Sequence, residues 1–234
     1  MFFQDLAAQL APDMPVYSFN WPEPTMDSPP ADTLPTIVEE FLQNMKTRVP
    51  HGPYIVGGFC FGAVIAIEMA KNLVASGEQV KLLVLIDPVM PSTDNHWQRR
   101  KRRLFSFIRY YRQRGIRFFM RLQYRKCIEM VQDLRSDTKE KWERQFQKAH
   151  TRAFRCYQGE PYPHRTLLGL SNAEQVESDT ERSRHQDGRW KNIIPFYREI
   201  LVLPDCSHDN ILSHGAGKIA ERIREIEGEI EKAV

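Results

Sequence analysis

Five residues, Gly58-Phe59-Cys60-Phe61-Gly62, constrain this 234-residue chain more than any other stretch. They follow Pro53-Tyr-Ile-Val-Gly57, a short apolar run that reads as a strand. They lead into Phe61 to Ser76, which is apolar on nearly every side (Val64, Ile65, Ile67, Met69, Leu73, Val74) and reads as a buried helix. A strand that turns at once into a helix, with glycine two residues on either side of a nucleophilic side chain, is the G-x-nucleophile-x-G elbow. The chain reverses so sharply there that side chains at both glycine positions are expected to collide. Cys60 is expected in a strained backbone region, exposed above the strand end at the N-terminus of the helix. There the helix dipole and the amides are expected to lower the thiol pKa from its free value of about 8.5. The Phe61 N–H would supply half of an oxyanion hole. The competing reading makes Cys60 a small buried hydrophobe and the glycines mere helix packing. The flanking strand and helix favour the elbow.

Around this turn, helical and strand patterns alternate, which predicts an α/β architecture with a mostly parallel sheet. Phe2 to Leu10 reads as a short helix, Pro15 to Phe19 as a strand, and Trp21 to Pro35 as a Pro-rich loop. Ile37, Phe41, Met45 and Val49 recur one turn apart in the helix predicted over Thr36 to Val49. Gly77 is a plausible stop for the helix after the elbow. Val80 to Ile86 is continuous Val/Leu/Ile after Lys81, the pattern of a strand covered on both faces. Further strands are expected at Arg165–Leu170 and Glu199–Leu203, with a terminal amphipathic helix over Gly215 to Val234. Between Asp94 and about Tyr157 the sequence is helical, basic and aromatic without strand signals. It reads as an inserted helical lid. The chain is thus a single domain: core residues 1–93 with the elbow, a lid over 94–160, and core residues 161–234.

A thiol nucleophile needs a base within reach and an acid to orient the base. Asp87 directly follows the Val80–Ile86 strand, at the carboxyl end where ligand sites of open α/β sheets gather. Asp-Pro is also a common turn signal, and only the elbow puts catalysis ahead of that role. Glu174 and Asp179, after the Arg165–Leu170 strand, are reserve acids. His208 lies in Asp205-Cys206-Ser207-His208-Asp209, a polar loop between the last strand and the last helix, where such a fold places its general base. His214 competes with it but abuts the helix start and suits a surface or capping role.

Twelve of the 33 Lys/Arg and none of the 30 Asp/Glu fall between Trp97 and Lys126, so the net charge of +3 hides a cationic block in a mildly acidic chain. The block implies an anionic partner or a solvated helix face. No nucleic-acid-binding module pattern accompanies it, and no run approaches the ~20 apolar residues of a membrane helix. Four cysteines without framework spacing, and no basic segment leading into an apolar one at the N-terminus, predict a cytoplasmic location with free thiols.

Together these residues resemble the thioesterase domains of nonribosomal peptide and polyketide synthetases, within the α/β-hydrolase superfamily. The resemblance covers most of the chain: Gly57-Gly-Phe-Cys-Phe-Gly-Ala63 with its helix, Leu83-Val-Leu-Ile-Asp87, the basic lid, Tyr162-Pro163, and Ser207-His208. It implies Cys60, Asp87 and His208 as catalytic residues acting on acyl or peptidyl groups carried by the phosphopantetheine of a carrier protein. No metal and no cofactor of the chain's own are expected. Arg99, Arg100, Arg102 and Arg103 are candidate docking residues for the acidic carrier. The expected activity is thioester hydrolysis or acyl transfer. The alternatives are a catalytically impaired interaction module and a small-ester hydrolase. Two departures stand out. Most members carry serine where this chain has Cys60. Members also begin with a strand and a Gly-Gly-type loop that gives the second oxyanion donor, whereas Met1-Phe2-Phe3-Gln4 corresponds to the helix after that loop. The chain is therefore expected to lack that strand and loop, as a fragment, through a misassigned start, or as a degraded enzyme.

Overall fold

The computed structural model describes residues 3–19, 33–89, 145–146, 148–149, 151–154, 157, 159–171, 193–195 and 198–232. Its elements are α1 (Gln4–Leu10), α2 (Leu34–Arg48), β1 (Tyr54–Phe59), α3 (Gly62–Ala75), β2 (Val80–Ile86), β3 (Thr166–Ser171), β4 (Arg198–Leu203), α4 (Ile211–His214) and α5 (Ala216–Lys232). The four strands form one sheet in the order β1-β2-β3-β4, and every neighbouring pair is parallel.

The apolar run of β2 explains its central place. Leu82 to Ile86 are all buried, so both faces of the strand need cover. Leu82, Val84 and Ile86 join Leu6 and Leu10 of α1 and Ile219, Ile223 and Ile226 of α5 in one core. Leu83 and Leu85 point the other way, toward the face on which α3 packs against β1 and β2. Burying each such side chain contributes about 1.5–3 kcal/mol. Helix α3 ends as its glycine predicts. Gly77 takes the left-handed conformation at φ 85°, and its N–H and that of Glu78 bond back to Val74 and Leu73, closing a Schellman motif. Ion pairs fasten α5 to the lower ends of the strands. Arg165 donates to Glu199 at 2.8 Å and to Glu229, and Arg222 donates to Glu199 and, at 2.6 Å, to Glu225.

One expected element is not formed. Residues 15–19 are not a strand, because no described strand offers them backbone partners, and Val16 and Tyr17 are exposed. Phe19 instead sets its ring edge-on to Phe41 of α2 at 6.0 Å. A short helix, α4, stands before the expected terminal helix.

The chain divides into two compact units, Met1–Trp21 with Leu34–Met90 and Gln158–Val234, and Pro22–Thr33 with Pro91–Tyr157. The sheet and α1 to α5 belong to the first. In the second, residues 145–146, 148–149 and 151–154 are helical. Apart from residues 157, 159 and 160, the remainder of the expected lid, including Arg99, Arg100, Arg102 and Arg103, lies outside the described residues, as do Glu174 and Asp179. Among the described residues no helix is long and apolar enough to cross a membrane.

Candidate active site

The turn between β1 and α3 takes the strained form expected from its sequence. Cys60 sits in the left-handed region at φ 54°, which costs a non-glycine residue of order 1–3 kcal/mol. The surroundings hold it there: its N–H donates to Ile86 O at 3.0 Å, and its carbonyl accepts from Ala63 N–H at 3.3 Å. The two flanking glycines are not equivalent, contrary to the sequence expectation. A Cβ on Gly58 would meet the Gly62 carbonyl oxygen at 2.1 Å, whereas a Cβ on Gly62 would meet nothing within 4 Å. The collision is one-sided because the chain folds back over Gly58 while Gly62 opens outward into the first turn of α3.

Asp87 leaves β2 in the same manner, at φ 42°. Phe59 and Ile86 are register partners, so Cys60 and Asp87 extend neighbouring parallel strands by one residue each. The Asp87 N–H donates to Gly169 O at 2.7 Å, which carries the β2–β3 ladder beyond the strand.

The Asp87 carboxylate and the His208 ring, 121 residues apart in sequence, meet with Oδ2 2.5 Å from Nδ1. A carboxylate only accepts, so Nδ1 carries the proton, and the tautomer with that proton has its lone pair at Nε2. The ring is stacked on Phe59, the residue before Cys60, with centroids 4.8 Å apart and planes at 27°. Its loop is shaped by Asn210, whose Oδ1 accepts the Ser207 N–H at 2.7 Å. His214, the competing histidine, ends α4 exposed beside the Ser213 hydroxyl, outside this constellation.

Ser171 and Asn210 were invisible as site residues in the sequence. Ser171 closes β3, and its N–H and Oγ–H both donate to the Asp87 carboxylate. Strand ordering singled out Asp87 and His208, which the structure brings together, but it could not tell which residue of β3 lies beside Asp87.

One electrostatic expectation is overturned. The Cys60 thiol pKa is raised, not lowered. Burial of the half-covered sulfur is the largest cause. A hydrogen bond from the Phe61 amide pulls the other way, and the negative charge of Asp87 adds to the rise. At neutral pH the thiol is therefore protonated. Cys60 and Cys206 are both free, Cys206 being buried under Gly215. Among the described residues no cluster of His, Cys, Asp or Glu could hold a metal ion.

Comparison with known proteins places the chain in a family. A family model described as Thioesterase domain matches residues 1–226. Over 84 residues, 35% of this chain, the sequence is 42% identical to the non-reducing polyketide synthase Preu8 of Preussia isomera, covering 4% of that protein. Over 76 residues, 32% of this chain, it is 34% identical to the nonribosomal peptide synthetase apvA of Aspergillus terreus, covering 8% of that protein. The chain thus spans under a tenth of the length of these curated relatives. In structure it resembles the type II thioesterase BorB from the borrelidin biosynthetic cluster, with a TM-score of 0.59 and 16% identity over 95% of this chain and 85% of that one. At that identity the likeness shows a shared α/β-hydrolase-like fold.

Proposed function

We propose, from the premise that the chain belongs to the thioesterase-domain family, that it takes acyl or peptidyl groups from the phosphopantetheine thiol of a carrier protein onto Cys60. The observation that carries this reading is that Cys60 and Asp87, both left-handed, extend adjacent strands, while Asp87 is bonded to His208, whose ring stacks on Phe59. His208 Nε2 removes the thiol proton as the sulfur attacks the thioester carbonyl. The Phe61 N–H, which donates to the sulfur at rest, turns to the developing oxyanion. A new carbon–sulfur bond to Cys60 forms and the bond to the pantetheine sulfur breaks. The proton on His208 passes to the departing thiolate. Asp87 holds the ring in its Nδ1–H tautomer and stabilises the imidazolium.

The intermediate is again a thioester, so its acyl group remains activated. A second nucleophile, deprotonated by His208, completes the cycle and regenerates the thiol. Water gives hydrolysis; an amine or hydroxyl, intermolecular or on the acyl chain itself, gives transfer or cyclisation. No cofactor of the chain's own takes part, since the pantetheine arm belongs to the substrate. The family affiliation of the curated relatives with polyketide and nonribosomal peptide synthetases supports a carrier-bound substrate. Docking of an acidic carrier falls to the cationic block with Arg99, Arg100, Arg102 and Arg103, and weakens as salt rises.

The test is intact-mass spectrometry after incubation with an acyl N-acetylcysteamine thioester. One acyl adduct is expected on the wild type and none on Cys60→Ala. An adduct on Cys60→Ala overturns the reading. A second reading, an interaction module that has lost catalysis, draws support from the protonated thiol. It requires that labelling of Cys60 by a thiol-reactive probe at neutral pH be unaffected by His208→Ala, whereas the enzymatic reading requires that labelling to fall.

A further inference from the structure

We infer that Ser171 is a positioning residue that aims the Asp87 carboxylate at His208. The inference deepens the reading of His208 as a base and rests on it. The aspartate χ2 torsion is broad, so its own rotamer does not fix the carboxylate plane. Something outside the side chain must do so if Oδ2 is to face the imidazole. One residue supplies both constraints. The Ser171 N–H donates to Oδ1 at 3.2 Å, and the Ser171 Oγ–H donates to Oδ2 at 2.9 Å. Oδ2 is also the oxygen that faces His208 Nδ1. Removal of the hydroxyl leaves a single donor on Oδ1, about which the carboxylate can turn away from the ring.

The placement follows from the sheet. Ile86 pairs with Gly169, so Ser171 stands two residues farther along β3, level with the space beyond Asp87. The Gly169 carbonyl already fixes the Asp87 backbone at 2.7 Å. Strand β3 therefore holds both the main chain and the side chain of a residue whose left-handed backbone, at φ 42°, is otherwise unfavourable. The serine sits on the last position of a strand, where the backbone is fixed by pairing with Leu203. Its two donors are thus presented from a rigid support instead of a loop. Such preorganisation is what an orienting group needs if it is to hold a ring within the narrow geometry of proton transfer.

The test separates this role from the enzymatic reading by using a signal that does not depend on turnover. In nitrogen-15-labelled protein, the His208 Nδ1 proton bonded to Asp87 is observed by NMR and assigned by its loss in Asp87→Asn. In Ser171→Ala this resonance is expected to move upfield and to exchange with water roughly tenfold faster. Ser171→Thr, which keeps the hydroxyl, is expected to retain it. Turnover of an acyl N-acetylcysteamine thioester is expected to drop in kcat by roughly tenfold with KM unchanged in Ser171→Ala, and to recover in Ser171→Thr. Ser171→Cys, nearly isosteric with a weak donor, serves if the alanine variant fails to fold, and is expected to behave as alanine does. A folded Ser171→Ala or Ser171→Cys with the wild-type resonance, or one shifted downfield, overturns the inference. If the resonance responds as expected while the wild-type protein acylates nothing, the clamp stands and the thioesterase reading fails.

Discussion

Cys60 and Asp87 are each the first residue beyond neighbouring parallel strands, and both turn out of the sheet through the left-handed region, at φ 54° and 42°. The Cys60 N–H is bonded to the residue just before Asp87. The Cys60 turn and Asp87 are therefore two halves of one strained edge, and whatever distorts one strand end is passed to the other.

The first prediction concerns the thiols. Burial raises the pKa of Cys60 and of Cys206, so the thiolate fraction of both is small at neutral pH. Alkylation of folded protein by iodoacetamide, followed by peptide mass mapping, is expected to modify half-buried Cys60 before buried Cys206. The Cys60 rate should climb with pH up to and beyond the ordinary thiol value of about 8.5. A rate already at its plateau near neutral pH would show a thiolate and refute the protonated resting state.

The second separates the two elbow glycines. Gly58→Ala drives a methyl group into the Gly62 carbonyl and is expected to cost more than about 2 kcal/mol, lowering Tm by roughly 4–8 °C. Gly62→Ala meets open space at the start of a helix and is expected to change stability by no more than about 0.5 kcal/mol in the unfavourable direction. Thermal unfolding of both variants measures the contrast, and equal losses would contradict it.

The third concerns the histidine loop. Asn210→Ala removes the acceptor of the Ser207 N–H and is expected to lower stability by about 0.5–2 kcal/mol and to reduce kcat without altering KM. Asn210→Asp keeps an acceptor and should restore most of both. Phe59→Leu retains bulk but removes the stacking surface under His208, a contact worth about 0.5–1.5 kcal/mol. Urea titrations and steady-state kinetics on the same preparations read out both changes.

The fourth follows from the ion network. Burial alone pushes the Glu199 pKa up, yet the hydrogen bonds and charges of Arg165 and Arg222 outweigh it and leave the carboxyl below its ordinary value. A lowered folded-state pKa contributes stability that is present above the unfolded value, about 4.3, and is lost as pH falls through the folded one. Glu199→Gln is therefore expected to lower the urea midpoint at neutral pH, and the difference from wild type is expected to shrink toward zero as the medium is acidified. A difference constant across that range would show that the loss comes from packing and not from charge.

Legibility in the sequence followed the range of the interactions. β2 was readable to the residue because continuous burial leaves an unbroken apolar run. The elbow was readable because a strained turn demands glycine within two residues, although only Gly58 is sterically required. Gly77 was readable because a left-handed helix end has few alternatives. Ser171 was not, because its role depends on the register of β3 against β2, fixed between residues some 84 positions apart. Arg165, Glu199 and Arg222 escaped for the same reason. Pro15 to Phe19 misled because strand propensity is local, whereas a strand exists only where a second backbone pairs with it. The thiol misled because the amide and helix terminus that lower its pKa are visible in the sequence, while the burial that outweighs them is not.

The parallel sheet has one more consequence, in time instead of space. The nucleophile turn closes within the first third of the chain, but the imidazole that would activate it lies beyond β4 and its partner donor lies at the end of β3. During synthesis the sulfur therefore emerges long before anything that can deprotonate it. The growing polypeptide carries Cys60 without the ring that would take its proton until the final strand docks.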